Sequence, residues 1–189
     1  MNVYDFDKTI YKNDSSTDFF IFSLKRHPRI FLQLPAILVA TLKFYVFKKG
    51  SKTQMKTKIM GFVKHIDYEK DIKDFWDKNE CKIKDFYKAQ QKEDDVIISA
   101  SPAFVLEPIC KTLGIKNLIC SDVDVNTGEF RRENCYNKEK VVRFREIFAD
   151  AEIDEFYSDS YSDTPLAEIS NKAYIVKGEE LLPWDFNKK

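Results

Sequence analysis

Apolar and polar positions follow different periods in different parts of this chain. Val3 and Tyr4 form a brief extended run that ends in Asp5-Phe6-Asp7-Lys8-Thr9, which predicts a short strand opening into an acidic loop. The spacing then becomes helical. Asp14-Ser15-Ser16-Thr17-Asp18 offers several N-caps ahead of Phe19, Phe20, Phe22 and Leu24, and His27-Pro28 ends or bends that helix. Further helices are predicted over residues 30–47, 53–63 and 68–91, the last with Ile72, Phe75, Trp76, Ile83, Phe86 and Tyr87 at core-facing intervals. Strand signals return only at Val96-Ile97-Ile98, followed by a helix over 103–113 that Gly114 stops. More strands are expected near 118–121, 156–158 and 173–176. A hairpin is expected over 122–131, turning at Asn126-Thr127-Gly128. An amphipathic helix carries Val141, Val142, Phe144, Ile147 and Phe148. This order predicts an α/β fold, a Rossmann-like parallel sheet with helices on both faces, interrupted after its first strand by an all-helical cap. The division falls at 1–12 and 92–189 for the core and 13–91 for the cap.

Residues that carry chemistry sit where those strands end. Side chains two apart in a strand point the same way, so Asp5 and Asp7 can converge on one cation and one phosphorus. A carboxylate beside a divalent cation stays ionised and can attack, while its neighbour carries a proton to the leaving group. The plain alternative is a strand ending in an acidic turn. Val96-Ile97-Ile98 leads into Ser99-Ala100-Ser101-Pro102, where a hydroxyl and backbone N–H groups at a helix start can cradle phosphate, or where a serine simply caps a helix. Lys140 lies at a helix N-terminus, where a cation opposes the macrodipole and calls for an anionic partner. Phe156-Tyr157-Ser158 runs into Asp159-Ser160-Tyr161-Ser162-Asp163, carboxylates that can complete an oxygen-rich Mg²⁺ site or form an ordinary acidic loop.

Taken in order, Asp-x-Asp-x-Thr, Ser after a strand, Lys at a helix start and Asp-Ser-x-x-Asp after another strand resemble the haloacid dehalogenase superfamily of aspartyl-phosphate enzymes. The resemblance covers nearly the whole chain. It implies Asp5 as nucleophile and Asp7 as general acid and base. Ser99, Ala100 and Lys140 would hold the phosphoryl group, and Thr9 would support the nucleophile loop beside them. It further implies Mg²⁺ bound by Asp5, the Asp7 carbonyl and Asp159, with Asp163 in or near the shell. Asp-Phe-Asp-Lys-Thr, the basic-then-apolar stretch, Ser99-Ala-Ser-Pro and Tyr157-Ser-Asp-Ser are similar to the branch containing phosphoserine phosphatases and type C phosphatidylglycerophosphatases, the second more than the first. Phosphoserine phosphatases usually carry Ser-Gly-Gly where this chain has Ser99-Ala100-Ser101. Their substrate-contacting Glu falls near Asp14, which is equally placed to cap a helix. The last motif often has Gly where this chain has Ser158.

Composition narrows the setting. The 189 residues allow one substantial core plus an accessory unit, and a formal charge of +0 argues against generic nucleic-acid binding. Cys81, Cys110, Cys120 and Cys135 form no Cys-x-x-Cys pair, as expected of reduced thiols in a cytoplasmic protein. The acidic motif begins too early to leave room for a secretory signal.

Charge is distributed unevenly. Residues 19–66 hold ten Lys or Arg and no Asp or Glu, and within them residues 30–47 carry only Lys43 as a charge. Three readings compete for that apolar stretch: a buried cap helix with solvated basic ends, an amphipathic helix on an anionic membrane surface, and a transmembrane span, which Lys43 and Pro35 oppose. The second would place the protein peripherally at the inner membrane surface and point to a lipid or lipid-headgroup phosphate monoester. A small phosphate ester such as phosphoserine is the alternative substrate. A non-catalytic interaction protein that keeps the fold is the alternative of another class.

Overall fold

The computed structural model describes residues 1–188. β1 (Asn2–Tyr4) lies at the centre of a six-stranded sheet of order β3-β2-β1-β4-β5-β6. It pairs in parallel with β2 (Val96–Pro102) on one side and β4 (Ile153–Ser158) on the other. β3 (Asn117–Ser121) and β5 (Ser170–Lys177) continue the sheet in parallel, and β6 (Glu180–Pro183) closes one edge in antiparallel fashion. Because the chain leaves β1 and builds outward both ways, the carboxyl ends of β1, β2 and β4 meet at a topological switch point, where open α/β sheets bind ligands.

The strands are fixed by what they bury. Tyr4, Tyr157 and Tyr174 stack face to face across β1, β4 and β5, with centroids 4.6 and 5.2 Å apart, so cross-strand aromatic packing sets their register. Val3, Val96, Ile98, Phe144, Phe156 and Ile175 fill the opposite face. Helix α6 (Ala103–Thr112) follows β2, and α7 (Lys138–Phe148) precedes β4. The short helix α8 (Thr164–Ala167) lies between β4 and β5. The expected hairpin forms: Asp124 N–H donates to Glu129 O, and Arg131 N–H donates to Asp122 O. Gly128 there has φ +72°, and a Cβ would fall 2.5 Å from Met60 O, so a side chain is excluded by both backbone conformation and the neighbouring helix.

Between β1 and β2 every regular element is helical: α1 (Ser15–Arg26), α2 (Leu34–Tyr45), α3 (Lys52–Met60), α4 (Tyr68–Asn79) and α5 (Asp85–Gln90). Asp14 caps α1 by accepting from Thr17 N–H, and Ser51 with Gln54 forms a capping box on α3. Phe19, Phe62 and Phe75 from this insertion pack with Phe104 of α6 in one hydrophobic cluster.

Three expectations need correction. The helix predicted over 30–47 begins as a 3₁₀ turn, Pro28–Gln33, and only then becomes α2, because Pro35 suits the first turn of a new helix. The helix predicted over 68–91 is broken: after a 3₁₀ turn, Glu80–Lys82, Lys12 N–H donates to Lys82 O and Lys84 N–H to Ile10 O, so the loop after β1 captures residues 83–84 as extended backbone. Finally, α2 is not a buried cap helix. None of its twelve residues is buried. Nor is any helix among the described residues long and apolar enough to cross a membrane.

Candidate active site

Asp5 follows directly on β1, and its N–H donates to Tyr157 O at 2.8 Å, which extends the sheet by one residue and fixes the carboxyl at the sheet edge. Lys8 takes φ +58°, an uncommon conformation for a non-glycine residue, and turns the chain back so that Lys8 N–H donates to Asn13 O. The ammonium of buried Lys84 donates to Lys8 O and holds this turn from the helical insertion.

Lys140 is the centre of the site. Its Nζ lies 2.6 Å from Asp5 Oδ1 and 2.7 Å from Asp163 Oδ2, with the lysine side chain 2% exposed. Burial opposes its charge, and Asp163 and Asp5 override that effect, so the ammonium is held above its ordinary range. The anionic partner expected of a lysine at this helix start is thus a pair of carboxylates. Ser158 Oγ donates to the same Asp163 oxygen at 2.8 Å, which gives this departure from glycine a role in orienting a site carboxylate.

Asp7 is gripped separately. Ser15 N–H donates to its Oδ1 at 2.6 Å and Ser101 Oγ to its Oδ2 at 2.5 Å, while Ser16 Oγ lies 2.7 Å from Ser101 Oγ. The Ser101 hydroxyl therefore positions the second carboxyl of the first motif. Burial, then Asp14, raises the Asp7 pKa, and the Ser101 and Ser15 hydrogen bonds partly restore it. The Asp5 carboxyl is pushed up to about 8, chiefly by burial, against the opposing pull of Lys140 and with Asp163 and Asp7 adding repulsion.

The other expected residues divide between the cavity wall and its support. Asp5, Asp7, Asp14, Ala100, Lys140, Asp159 and Asp163 all line one cavity of about 510 Å³. Thr9 and Ser99 lie beneath it, fully buried. Thr9 Oγ1 accepts from Asp159 N–H at 2.9 Å, tying the first motif to the last, and Ser99 Oγ accepts from Ser101 N–H at 3.0 Å. Asp14 both caps α1 and faces the cavity, so the structure accommodates each of the two roles considered for it.

Sequence reasoning missed Lys56, which reaches from α3 to the cavity wall. Its Nζ donates to Ala100 O and Asn134 Oδ1, each at 2.9 Å, and burial followed by the nearby Lys52 lowers its pKa to about 8. Within the basic stretch nothing local distinguishes it from its neighbours. Its place four residues before Met60, which is buried in the same helix, was the available signal.

The residues present suit a hard divalent cation. Asp5 and Asp163 share the single Lys140 ammonium, two carboxyl groups to one cation, and Asp163 Oδ1 is buried with no hydrogen-bond partner. Oxygen donors of this kind are what Mg²⁺ selects. Among the described residues no three potential ligand side chains converge as a ready-made cage, since Lys140 Nζ sits between Asp5 and Asp163.

Residues 3–168 match the family of haloacid dehalogenase-like hydrolases. The chain belongs to that family, with a helical insertion after its first strand. A stretch of 88 residues is 36% identical to protein CicA of Caulobacter vibrioides, covering 43% of this chain and 40% of CicA, so the match spans less than half of that relative's length. The backbone is similar to a protein of unknown function from Bordetella pertussis Tohama I, with a TM-score of 0.73 and 18% identity over 93% of this chain and 88% of that one. It is also similar to a phosphoserine phosphohydrolase-like protein from Francisella tularensis subsp. tularensis SCHU S4, with a TM-score of 0.58 and 20% identity over 93% and 87% of the two chains. At these identities the structural likenesses establish the fold.

Proposed function

We propose that this protein is a Mg²⁺-dependent phosphomonoesterase that works through an aspartyl phosphate on Asp5. The observation that carries this reading is the buried Lys140 ammonium bridging Asp5 and Asp163 beside a separately held Asp7. Asp5 Oδ attacks phosphorus as the bond to the leaving oxygen breaks, and Asp7, protonated at the start, donates its proton to that oxygen. Asp7 is then a base for the water that cleaves the aspartyl phosphate, so one carboxyl serves both halves. Lys140 neutralises charge spread over the phosphoryl oxygens. Asp5, Asp159, Asp163 and the Asp7 carbonyl are the groups that would hold Mg²⁺, which when bound supplies further positive charge to the same oxygens.

The test is hydrolysis of an aryl phosphate with Mg²⁺, abolished by a chelator. Mg²⁺ should also raise the thermal midpoint of the folded protein by mass action, and Asp159→Asn should weaken that rise. Chelator-insensitive hydrolysis, or none across a panel of phosphate monoesters, would overturn the reading. Ser101→Ala tests the grip on Asp7: kcat should fall about tenfold with KM nearly unchanged, the value of one hydrogen bond expressed in the barrier.

For substrate, the reading favours a lipid or lipid-headgroup phosphate monoester, because Phe20, Ile37, Tyr45, Met55, Ile59 and Met60 give the carboxylate-lined cavity an apolar lining as well. A small amino-acid phosphate is the second reading, favoured by Asp14 at the cavity, where it can meet an amine. Comparing lysophospholipid and glycerophosphate monoesters with phosphoserine separates the two by kcat/KM.

A further inference from the structure

The outer side of α2 is apolar, and among the described residues no other element covers it. Leu38, Leu42 and Val46 recur one turn apart with Val39 beside them, and Val39 and Val46 are 65% and 63% exposed. The adjoining turns extend the patch with Phe31, Leu32 and Phe47, Leu32 reaching 84%. Exposed aliphatic and aromatic residues on this scale mark an interaction site. A groove of about 700 Å³ continues it between α2 and α3, where Val39, Phe44 and Met55 meet Lys43, Lys49 and Lys58.

Charge identifies what covers it. Residues 19–66 contain ten Lys or Arg and no acid. Among the described residues only Arg26 and His27 of that stretch pair with carboxylates, both reaching across to α4. The lysines around the apolar patch, Lys43, Lys48, Lys49 and Lys58, thus have no carboxylate neutralising them. A bilayer of anionic lipid offers both complements at one depth: headgroups for the lysines and acyl chains for the helix face. The same helix lines the catalytic cavity through Ile37 and Tyr45, so docking through α2 would bring the cavity to headgroup level.

We propose that the outer face of α2, with its lysine flanks, docks this protein onto an anionic lipid bilayer. The test is co-sedimentation of the full chain with vesicles of phosphatidylglycerol and phosphatidylcholine in equal parts, at physiological salt. Wild type should pellet with these vesicles and bind pure phosphatidylcholine vesicles at least about tenfold more weakly. Leu38→Glu/Val46→Glu and Lys48→Gln/Lys49→Gln should each lower partitioning by about tenfold or more while leaving hydrolysis of a soluble aryl phosphate unchanged, which also verifies folding. Absence of binding, or binding that neither pair of substitutions weakens, overturns the proposal. So does a concentration-dependent dimer without vesicle binding that is lost in Leu38→Glu/Val46→Glu, since it assigns the face to a second copy. Binding requires no turnover, so Asp5→Asn should pellet like wild type. Failure to dock therefore leaves the phosphatase reading intact, and failure of catalysis leaves docking intact.

Discussion

Asp5→Asn should lose at least about 10³-fold in turnover, roughly 4 kcal/mol of barrier, while remaining folded. The proposed mechanism makes the Asp5 oxygen the atom that bonds phosphorus, and an amide cannot form or release that ester as a carboxylate does. A loss smaller than about tenfold would refute the nucleophile assignment. The same substitution should not weaken the fold in chelator. Asp5 is buried and its carboxyl is pushed up to about 8, so the native state binds more protons than the unfolded chain from about pH 4 upward. By linkage, wild-type stability from this group declines as pH rises through that window and levels off above pH 8. Asparagine has no such dependence. Urea unfolding of metal-free protein should therefore show Asp5→Asn gaining on wild type between pH 5 and pH 8. Asp7→Asn should behave differently: it lacks the proton for the leaving group and the base for water, and any phosphoenzyme formed from an activated ester should persist.

Lys140→Met should be the most damaging single change to both stability and activity. The substitution keeps most of the side-chain volume but removes the one ammonium between Asp5 and Asp163. Breaking a buried ion pair by deleting one partner typically costs about 3–5 kcal/mol, a large share of the roughly 5–15 kcal/mol that holds a domain together. The loss should be greatest at alkaline pH, above about 8, where Asp5 would have to ionise without its counter-charge, and smaller near pH 5, where the carboxyl stays protonated. Urea titrations at the two pH values in chelator measure this directly. Equal stability of Lys140→Met and wild type at pH 8 would mean that the ammonium does not compensate the carboxylates. Low-temperature assays, where the variant is still folded, should show a catalytic loss of at least about a hundredfold, since a charge aimed at the phosphoryl oxygens is removed.

Most of the architecture was legible from local pattern, and the departures have identifiable causes. The β2 segment announced itself through the β-branched run Val96-Ile97-Ile98, and β4 through Phe156 and Tyr157, because burial at the sheet centre demands such residues. The helical break at 80–84 left no trace, because its cause is the backbone of residues 10–12, seventy or more positions away, which offers hydrogen bonds that compete with helix continuation. β6 escaped notice because its four residues mix charge, leucine and proline. It becomes a strand only by pairing with β5 across the Gly178 turn.

Within the site, the paired carboxylates and Lys140 could be placed on one sheet edge because chain order and strand polarity bring strand ends together. The hydroxyls that hold Asp7 could not, since Ser15, Ser16 and Ser101 are common residue types whose value depends on meeting one another across about ninety positions. Lys56 likewise gains its place only through contact with Ala100 and Asn134.

The amino-acid order alone determined the α/β core, the helical insertion and the acidic and basic groups at the strand ends, because these follow from periodicity and residue chemistry within short windows. Tertiary structure alone decided which carboxylates share Lys140, what grips Asp7 and which face of residues 34–45 is left to solvent. Those outcomes depend on distances between segments remote in sequence, and burial and pairing energies are set only once such segments meet.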